Sequence, residues 1–261
     1  MQVVSNSMPG AISPWAAWQM LFNPHQGDEA VIFTGYLSGG EHPNTWCTDI
    51  INDMVAWLQH PRPKDALPRR LSIHVGRWKD NDSYVRSVDM LGRILAHIKP
   101  HYRQHVSIHD VPKLHVKAFA IYAGEPGTGS QDCIRLLCGS SNLTYASMAA
   151  GNNIELDAYL CAPTDSSALQ LYGAALRDVE LQCTSSATYD QAANYFSLLN
   201  AGTPLIARRV YSDDPDRQSF YSDVENAMLD YESRLVLSQV QADDEAMQSA
   251  SDECLRSDTN S

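Results

Sequence analysis

The sequence predicts an α/β protein whose mixed β-sheet has helices on both faces. Short apolar runs with strand-like alternation are separated by longer segments with apolar residues at helical spacing. This pattern is typical of β-strands that alternate with helices. In the middle of the chain, three strand-like runs follow one another with only short connections. Such connections favour antiparallel hairpins, so the sheet is predicted to be mixed in direction.

Each element is predicted from its local pattern. Strand-like runs cover residues 29–39, 71–77, 106–111, 114–123, 133–139 and 152–162. Helical spacing of apolar residues covers residues 13–23, 44–60, 83–103 and 166–183, and a further helix is predicted around 189–200. The stretch GEPGTGSQ, residues 124–131, contains three glycines and one proline, which predicts an exposed hairpin loop.

The negative charge is concentrated at the C-terminal end of the sequence. The formal net charge is −12 at pH 7, and from residue 210 onward there are 13 acidic residues against three arginines. Residues 1–209 therefore carry a net charge of only −2, which does not exclude a phosphate ligand. We predict one folded domain at 1–209 and an acidic C-terminal segment at 210–261. This segment is predicted to form one helix followed by a disordered tail.

Cysteine usage and hydropathy indicate the compartment. The six cysteines include no C-x-x-C pair, a pattern that fits reduced thiols and argues against a structural zinc site. No apolar run approaches the roughly 18 residues that a membrane-spanning helix needs. The first residues also lack the pattern of a signal peptide. We therefore expect a cytoplasmic protein without a membrane partner.

Three short motifs carry polar groups that suit phosphate chemistry. His115 and Lys117 lie two residues apart in the predicted strand 114–123, so alternation would place both on one face. There they offer a nucleophile or proton carrier beside a positive charge. Glu155 offers a carboxylate that could fix the tautomer of an imidazole. The intervening turn offers N–H groups, hydroxyls and an amide that can hold phosphate oxygens, and consists of Gly139, Ser140, Ser141 and Asn142.

Together these groups would form a metal-independent phosphodiesterase site. A histidine attacks phosphorus, while Lys117 and Asn142 stabilise charge on the non-bridging oxygens. Tyr36 and Ser38, at the end of the first long strand, are candidate pocket residues, and a role in a turn is equally open. His74 and His109 lie on other predicted strands and are interpreted as structural.

The order H-x-K, G-S-x-N and N-x-E resembles the phospholipase D superfamily, whose signature is H-x-K-x(4)-D followed by G-[GS]-x-N. The resemblance covers roughly residues 25–185 and is greatest to the single-motif bacterial branch, which contains nucleases and restriction-endonuclease-like proteins. Two features depart from the family pattern. Tyr122 stands where the family has Asp, and the interval between Lys117 and Gly139 is longer than usual.

The resemblance implies a phospholipase D-like fold and a mechanism. In that mechanism His115 forms a phosphohistidine intermediate, and a second histidine protonates the leaving oxygen and later activates water. This chain carries one such motif, so the second histidine would come from another subunit. We therefore predict a two-fold symmetric homodimer with one composite active site, and we expect no cofactor and no metal ion.

The leading hypothesis is a metal-independent nuclease, with DNA favoured over RNA as the predicted nucleic-acid partner. Two alternatives remain open. One is a phosphodiesterase that acts on a lipid or a small molecule. The other is a catalytically weakened phospholipase D-like protein with a binding or regulatory role, in which the acidic segment 210–261 would contact a partner protein.

Overall fold

The computed structural model describes residues 1–38, 45–76, 81–111, 114–124, 131–148, 155–185, 205–207 and 220–258. The strands are β1 (Gln2–Val4), β2 (Glu29–Thr34), β3 (Leu37–Ser38), β4 (Arg70–Val75), β5 (Val106–Asp110), β6 (Ala118–Ala123), β7 (Asp132–Gly139), β8 (Leu143–Thr144), β9 (Asp157–Cys161) and β10 (Leu205–Ala207). The helices are α1 (Pro14–Leu21), α2 (Thr45–Gln59), α3 (Asn81–His97), α4 (Pro100–Arg103), α5 (Tyr145–Met148), α6 (Ser166–Ser185) and α7 (Phe220–Asp258). The predicted helix 189–200 and most of the predicted loop 124–131 lie outside the described residues.

Eight strands form one mixed sheet in the order β1-β9-β7-β6-β2-β4-β5-β10. Strands β2, β4, β5 and β10 pair in parallel, and the pairs from β2 through β6, β7 and β9 to β1 are antiparallel. The direction of pairing therefore changes at β2, between β4 and β6. Strands β3 and β8 form a separate parallel pair beside this point.

Helices cover both faces of the sheet, as predicted. Alternate residues of each central strand enter different cores, so in β2 Ile32 belongs to the larger core and Phe33 to the smaller. The larger core is completed by side chains of α1, α2, α3 and α7, including Trp18, Trp57, Leu91 and Phe220. The smaller core is completed by Leu169 and Leu176 of α6. The predicted α/β class with a helix-flanked mixed sheet is confirmed.

Several element boundaries differ from the predictions. The predicted strand 29–39 divides into β2 and β3, and the predicted helix 83–103 divides into α3 and α4 just before Pro100, because a residue that precedes proline is disfavoured in helical geometry. The predicted strand 114–123 begins only at Ala118. Its neighbour β2 ends at Thr34, and the last residue pair between them is Phe33 with Ala118. His115 and Lys117 therefore lie outside the strand, in the segment that leads into β6, and the prediction that strand alternation places both on one face is wrong.

The predicted boundary between a domain at 1–209 and an acidic segment at 210–261 stays a prediction, as does the disorder predicted beyond one helix. Within the described part of that segment, helix α7 spans Phe220–Asp258. Its first turns pack against α3, where the Tyr84 hydroxyl bonds Asp223 and the Tyr231 hydroxyl donates to Asp89 at 2.9 Å. Among the described residues, no helix combines the length and hydrophobicity needed to cross a membrane.

Candidate phosphate-binding site

The predicted motifs meet at the edge of the sheet where the parallel strands β2, β4 and β5 end. At the same edge β6 begins, β7 ends and the pairing direction changes. In open α/β sheets this is the usual position of a ligand crevice, because loops leave the strands in different directions there. The topology therefore places the His115, Asn142 and Glu155 segments where a site is expected.

His115 and Lys117 are neighbours in the segment that precedes β6. His115 is exposed and Lys117 is half-buried. The Lys117 ammonium donates to the main-chain oxygen of His115 at 3.1 Å, and the Lys117 carbonyl accepts the N–H of Gly139 at 3.2 Å. The second contact ties this segment directly to the start of the GSSN turn.

The side chain of Asn142 is held by the end of β2. Its Oδ1 accepts the N–H of Gly35 at 3.1 Å and lies 3.5 Å from the hydroxyl oxygen of Thr34. The same threonine oxygen accepts the N–H of Leu143 at 3.1 Å. Asn142 is therefore fixed both through its amide oxygen and through the backbone on its C-terminal side.

The two serines of the turn donate to carboxylates of the segment that enters β9. The Ser140 hydroxyl donates to Glu155 Oε2 at 2.5 Å, and the Ser141 hydroxyl donates to Asp157 Oδ2 at 2.5 Å. Their N–H groups are also engaged, with Leu156 O at 3.3 Å and Asp157 Oδ1 at 3.0 Å. These contacts explain the shape of the turn, and the predicted role of Gly139, Ser140 and Ser141 in binding phosphate stays a prediction.

Glu155 lies two residues before β9 rather than inside the predicted strand 152–162. Besides Ser140, its carboxylate accepts the Ser147 hydroxyl at 3.0 Å. Its backbone is held by the N-terminal segment, since its N–H donates to Asn6 Oδ1 at 3.3 Å and its carbonyl accepts the Ser5 hydroxyl at 3.0 Å. The predicted role of Glu155 in orienting an imidazole stays a prediction, and Asn153 and Ile154 of the N-x-E motif lie outside the described residues.

Tyr36 and Ser38 lie next to the GSSN turn. Ser38 is buried in β3, opposite Thr144 of β8. Tyr36 is half-buried, and its carbonyl accepts the Thr34 hydroxyl at 2.7 Å. The structure brings both residues to the edge that carries the site, and their contribution to a pocket stays a prediction.

Three glycines allow the segments of the site to pack closely. A Cβ atom at Gly35 would lie 3.2 Å from the Leu114 carbonyl and 3.3 Å from Asn142 Oδ1. At Gly76 it would lie 1.8 Å from the Val111 carbonyl, and at Gly139 2.3 Å from Asp157 Oδ1. Gly76 and Gly139 therefore accommodate no side chain without rearrangement, and Gly35 brings the residue before His115 close to Asn142.

Tyr122, at the position of the family Asp, belongs to the core and not to the site. It is 1% exposed and packs in the smaller core beneath α6. Its hydroxyl donates to Gly173 O at 3.1 Å, and the guanidinium carbon of Arg177 lies 3.7 Å from its ring centroid. The sheet edge that carries the candidate site therefore has no carboxylate from position 122.

The thiol nearest to the turn is poorly suited to act as a nucleophile. Burial raises the pKa of Cys138, and the neighbouring Asp157 raises it further, so the reactive thiolate is disfavoured. Cys133, Cys138 and Cys161 are all free thiols. Within the described ranges, no group of three or more His, Cys, Asp or Glu side chains is arranged to hold a metal ion.

Sequence reasoning missed three residues that build the site, namely Thr34, Asn6 and Asp157. Asp157 is two residues after Glu155, and this repeated acidic spacing was a signal in the sequence. Thr34 and Asn6 gave no such signal, because their contacts join segments that are more than one hundred residues apart.

No protein-family model and no curated protein matches the chain. Among solved structures, the chain is similar to the crystal structure of polyphosphate kinase from Porphyromonas gingivalis, with 13% sequence identity and a TM-score of 0.44 over 71% of the present chain. The match spans only 26% of that kinase chain.

Proposed function

We propose that the chain is a phosphodiesterase of the phospholipase D type that uses His115 as its nucleophile and cleaves DNA without a metal ion. The observation that supports this proposal is the convergence of the His115–Lys117, Asn142 and Glu155 segments at one sheet edge. His115 is exposed there, as a nucleophile that must reach a large substrate has to be.

The proposed reaction has two steps. An imidazole nitrogen of His115 attacks phosphorus, so that a P–N bond forms while the bond to the leaving nucleoside oxygen breaks. Water then attacks the phosphohistidine, breaks the P–N bond and releases the phosphate monoester. Lys117 and the Asn142 amide stabilise the charge on the non-bridging oxygens.

Proton transfer requires a second titratable group besides His115, which acts first as an acid and then as a base. A histidine of another subunit would protonate the leaving oxygen in the first step and activate water in the second. The active form is therefore proposed to be a homodimer in which each subunit contributes one His115 to a composite site.

The test uses labelled single- and double-stranded DNA in excess EDTA. Wild-type protein is expected to cleave at least one substrate, and His115→Ala is expected to lose cleavage entirely. His101→Ala is the matched control, because His101 is an exposed histidine on α4. Quenching a reaction on phosphorus-labelled substrate with alkaline detergent, in which the P–N bond of a phosphohistidine is stable, should trap label on the wild type and the control, and not on His115→Ala. Cleavage that persists in His115→Ala would refute the proposal.

A second candidate function is a binding protein on a catalytically weakened scaffold. It is favoured by the engagement of the Ser140 and Ser141 hydroxyls with carboxylates and by Tyr122 at the position of the family Asp. Wild-type protein that binds DNA in a shift assay and cleaves neither substrate would favour this function. Cleavage of a vesicle phospholipid with intact DNA would instead favour the lipid phosphodiesterase.

A further inference from the structure

Thr34 connects the turn that follows β2 to the segment that carries Asn142. It is the last residue of β2, and it is fully buried. Its hydroxyl donates to Tyr36 O at 2.7 Å and accepts the N–H of Leu143 at 3.1 Å. One hydroxyl group thus joins the turn after β2 to the backbone directly after Asn142.

These contacts determine how Asn142 presents its amide. A hydroxyl has one proton to donate. The Thr34 hydroxyl donates it to Tyr36 O, 2.7 Å away, in preference to Asn142 Oδ1, 3.5 Å away. The N–H of the adjacent Gly35 donates to that Oδ1 at 3.1 Å. The atom that accepts an N–H must be the amide oxygen, so Nδ2 is the atom left to face a ligand.

We propose that Thr34 is a positioning residue that holds Asn142 with its Nδ2 directed at a phosphate oxygen. The inference rests on the proposed function, because it assigns to Thr34 the orientation of a group that acts in that function. Thr34 itself touches no substrate. It acts through the Leu143 N–H and through the position of Gly35, which follows it in the chain.

This role requires a side chain at position 34 that carries a hydroxyl group. Valine has nearly the shape of threonine, but it would leave the Leu143 N–H and the Tyr36 carbonyl without their partner. The Leu143 N–H and the Tyr36 carbonyl would then shift towards other hydrogen-bond partners. A displacement of about 1 Å at a group that contacts the reacting phosphate lowers activity on the order of 100-fold. Serine keeps the hydroxyl and loses only a methyl group.

The test compares Thr34→Val, Thr34→Ser and a control, Ser72→Ala. Ser72 lies in the middle of β4, and its buried hydroxyl contacts that of Ser107 at 2.9 Å, so the control also removes one buried hydroxyl. Two quantities are measured on folded protein, the kcat and KM for DNA cleavage and the shift of the Asn142 side-chain amide signal in a ¹H–¹⁵N spectrum during titration with inorganic phosphate. The Asn142 signal is assigned by its absence in Asn142→Asp.

The expected result is a loss on the order of 10- to 100-fold in kcat/KM for Thr34→Val, mainly in kcat, with a displaced amide signal that no longer responds to phosphate. Thr34→Ser should stay within about threefold of wild type, and Ser72→Ala should match wild type. If Thr34→Val keeps wild-type kinetics and the wild-type amide response, the positioning role is refuted while the proposed function stands. If the wild type neither cleaves DNA nor shows an amide response to phosphate, the proposed function fails and the role of Thr34 fails with it.

Discussion

Asp157 accepts two hydrogen bonds from Ser141, one from its N–H at 3.0 Å and one from its hydroxyl at 2.5 Å. Both residues are buried, with 5% and 2% exposure. A buried carboxylate that uses both oxygens on one turn fixes the turn strongly, because hydrogen bonds to a charged acceptor are stronger than neutral ones. The adjacent Gly139 leaves the room that the carboxylate needs. The GSSN turn is therefore shaped from the β9 side as well as from the β2 side.

The first prediction concerns Asp157→Asn. The substitution removes the charge and replaces one acceptor oxygen by a donor, so we expect the free energy of unfolding to fall by about 2 kcal/mol. Ser141→Ala, which removes only the hydroxyl, should cost about 1 kcal/mol. Urea unfolding measures both. Asp132→Asn is the control, since Asp132 is exposed at the start of β7. An Asp157→Asn protein as stable as this control would contradict the prediction.

The second prediction concerns Tyr122, the residue at the position of the family Asp. Tyr122→Asp would introduce the Asp of the phospholipase D signature, but it would place a carboxylate in the core near Glu29 and Glu180, both of which already pair with Arg177. Loss of the aromatic ring would also leave a cavity. We expect a loss of about 4 kcal/mol or more in the free energy of unfolding and no gain in phosphodiesterase activity.

Tyr122→Phe is the matched variant. It keeps the ring beneath Arg177 and removes only the hydrogen bond to Gly173 O, so it should cost about 1 kcal/mol. Both variants are compared by urea unfolding and by DNA cleavage. Increased cleavage by Tyr122→Asp would show that the missing carboxylate limits the reaction, contrary to this prediction.

The fold could be predicted from the sequence because hydrophobic periodicity reports which face of an element is buried. Helix α2 and strand β5 lie within one residue of their predicted bounds. The start of β6 could not be predicted, because the apolar pattern continues through Leu114 and Val116 although pairing with β2 ends at Phe33. That boundary depends on a partner strand more than eighty residues earlier in the chain.

The candidate site could be predicted only where its residues form short motifs. His115, Lys117, Asn142 and Glu155 were found in this way, and the structure brings their segments together. The groups that hold them were not found, because Thr34 and Asn6 act across long sequence separations. Local spacing also gave no sign that Ser140 and Ser141 would donate to Glu155 and Asp157 instead of facing outward.

The third prediction concerns pH and His109. His109 stacks on His74 with ring centroids 4.4 Å apart and an interplanar angle of 7°. Burial lowers the pKa of His109 well below its ordinary value of 6.5, and the neighbouring His74 lowers it further. As the pH falls below 6.5, the unfolded chain binds a proton at His109 that the folded chain does not bind. The free energy of unfolding should therefore decrease as the pH falls through this range.

Urea unfolding is measured at pH 7.0 and at pH 5.5. Between these two pH values, a single such histidine lowers the free energy of unfolding by about 1 kcal/mol. His109→Phe keeps a stacking ring and removes the group that titrates. The free energy of unfolding of this variant should therefore decrease by that much less between the two pH values. Glu180 lies 3.7 Å from His74; burial would raise its pKa, but His74 and Arg177 hold that pKa below its ordinary value. An unchanged pH dependence in His109→Phe would contradict the prediction.

The last prediction tests the composite active site. If each site needs one His115 from each subunit, a dimer of one wild-type and one His115→Ala subunit has no complete pair and should be inactive. When subunits are mixed and allowed to exchange, activity should then follow the square of the wild-type fraction. An equal mixture would retain about one quarter of the wild-type activity, whereas independent sites would retain about one half.

The control mixture contains wild type and His101→Ala, and it should retain full activity at every ratio. Exchange is verified with two affinity tags that allow the mixed dimer to be isolated and assayed directly. A linear dependence on the wild-type fraction, or cleavage by the isolated mixed dimer at half the wild-type rate, would show that each chain carries a complete site. The second histidine would then have to come from the same chain as His115.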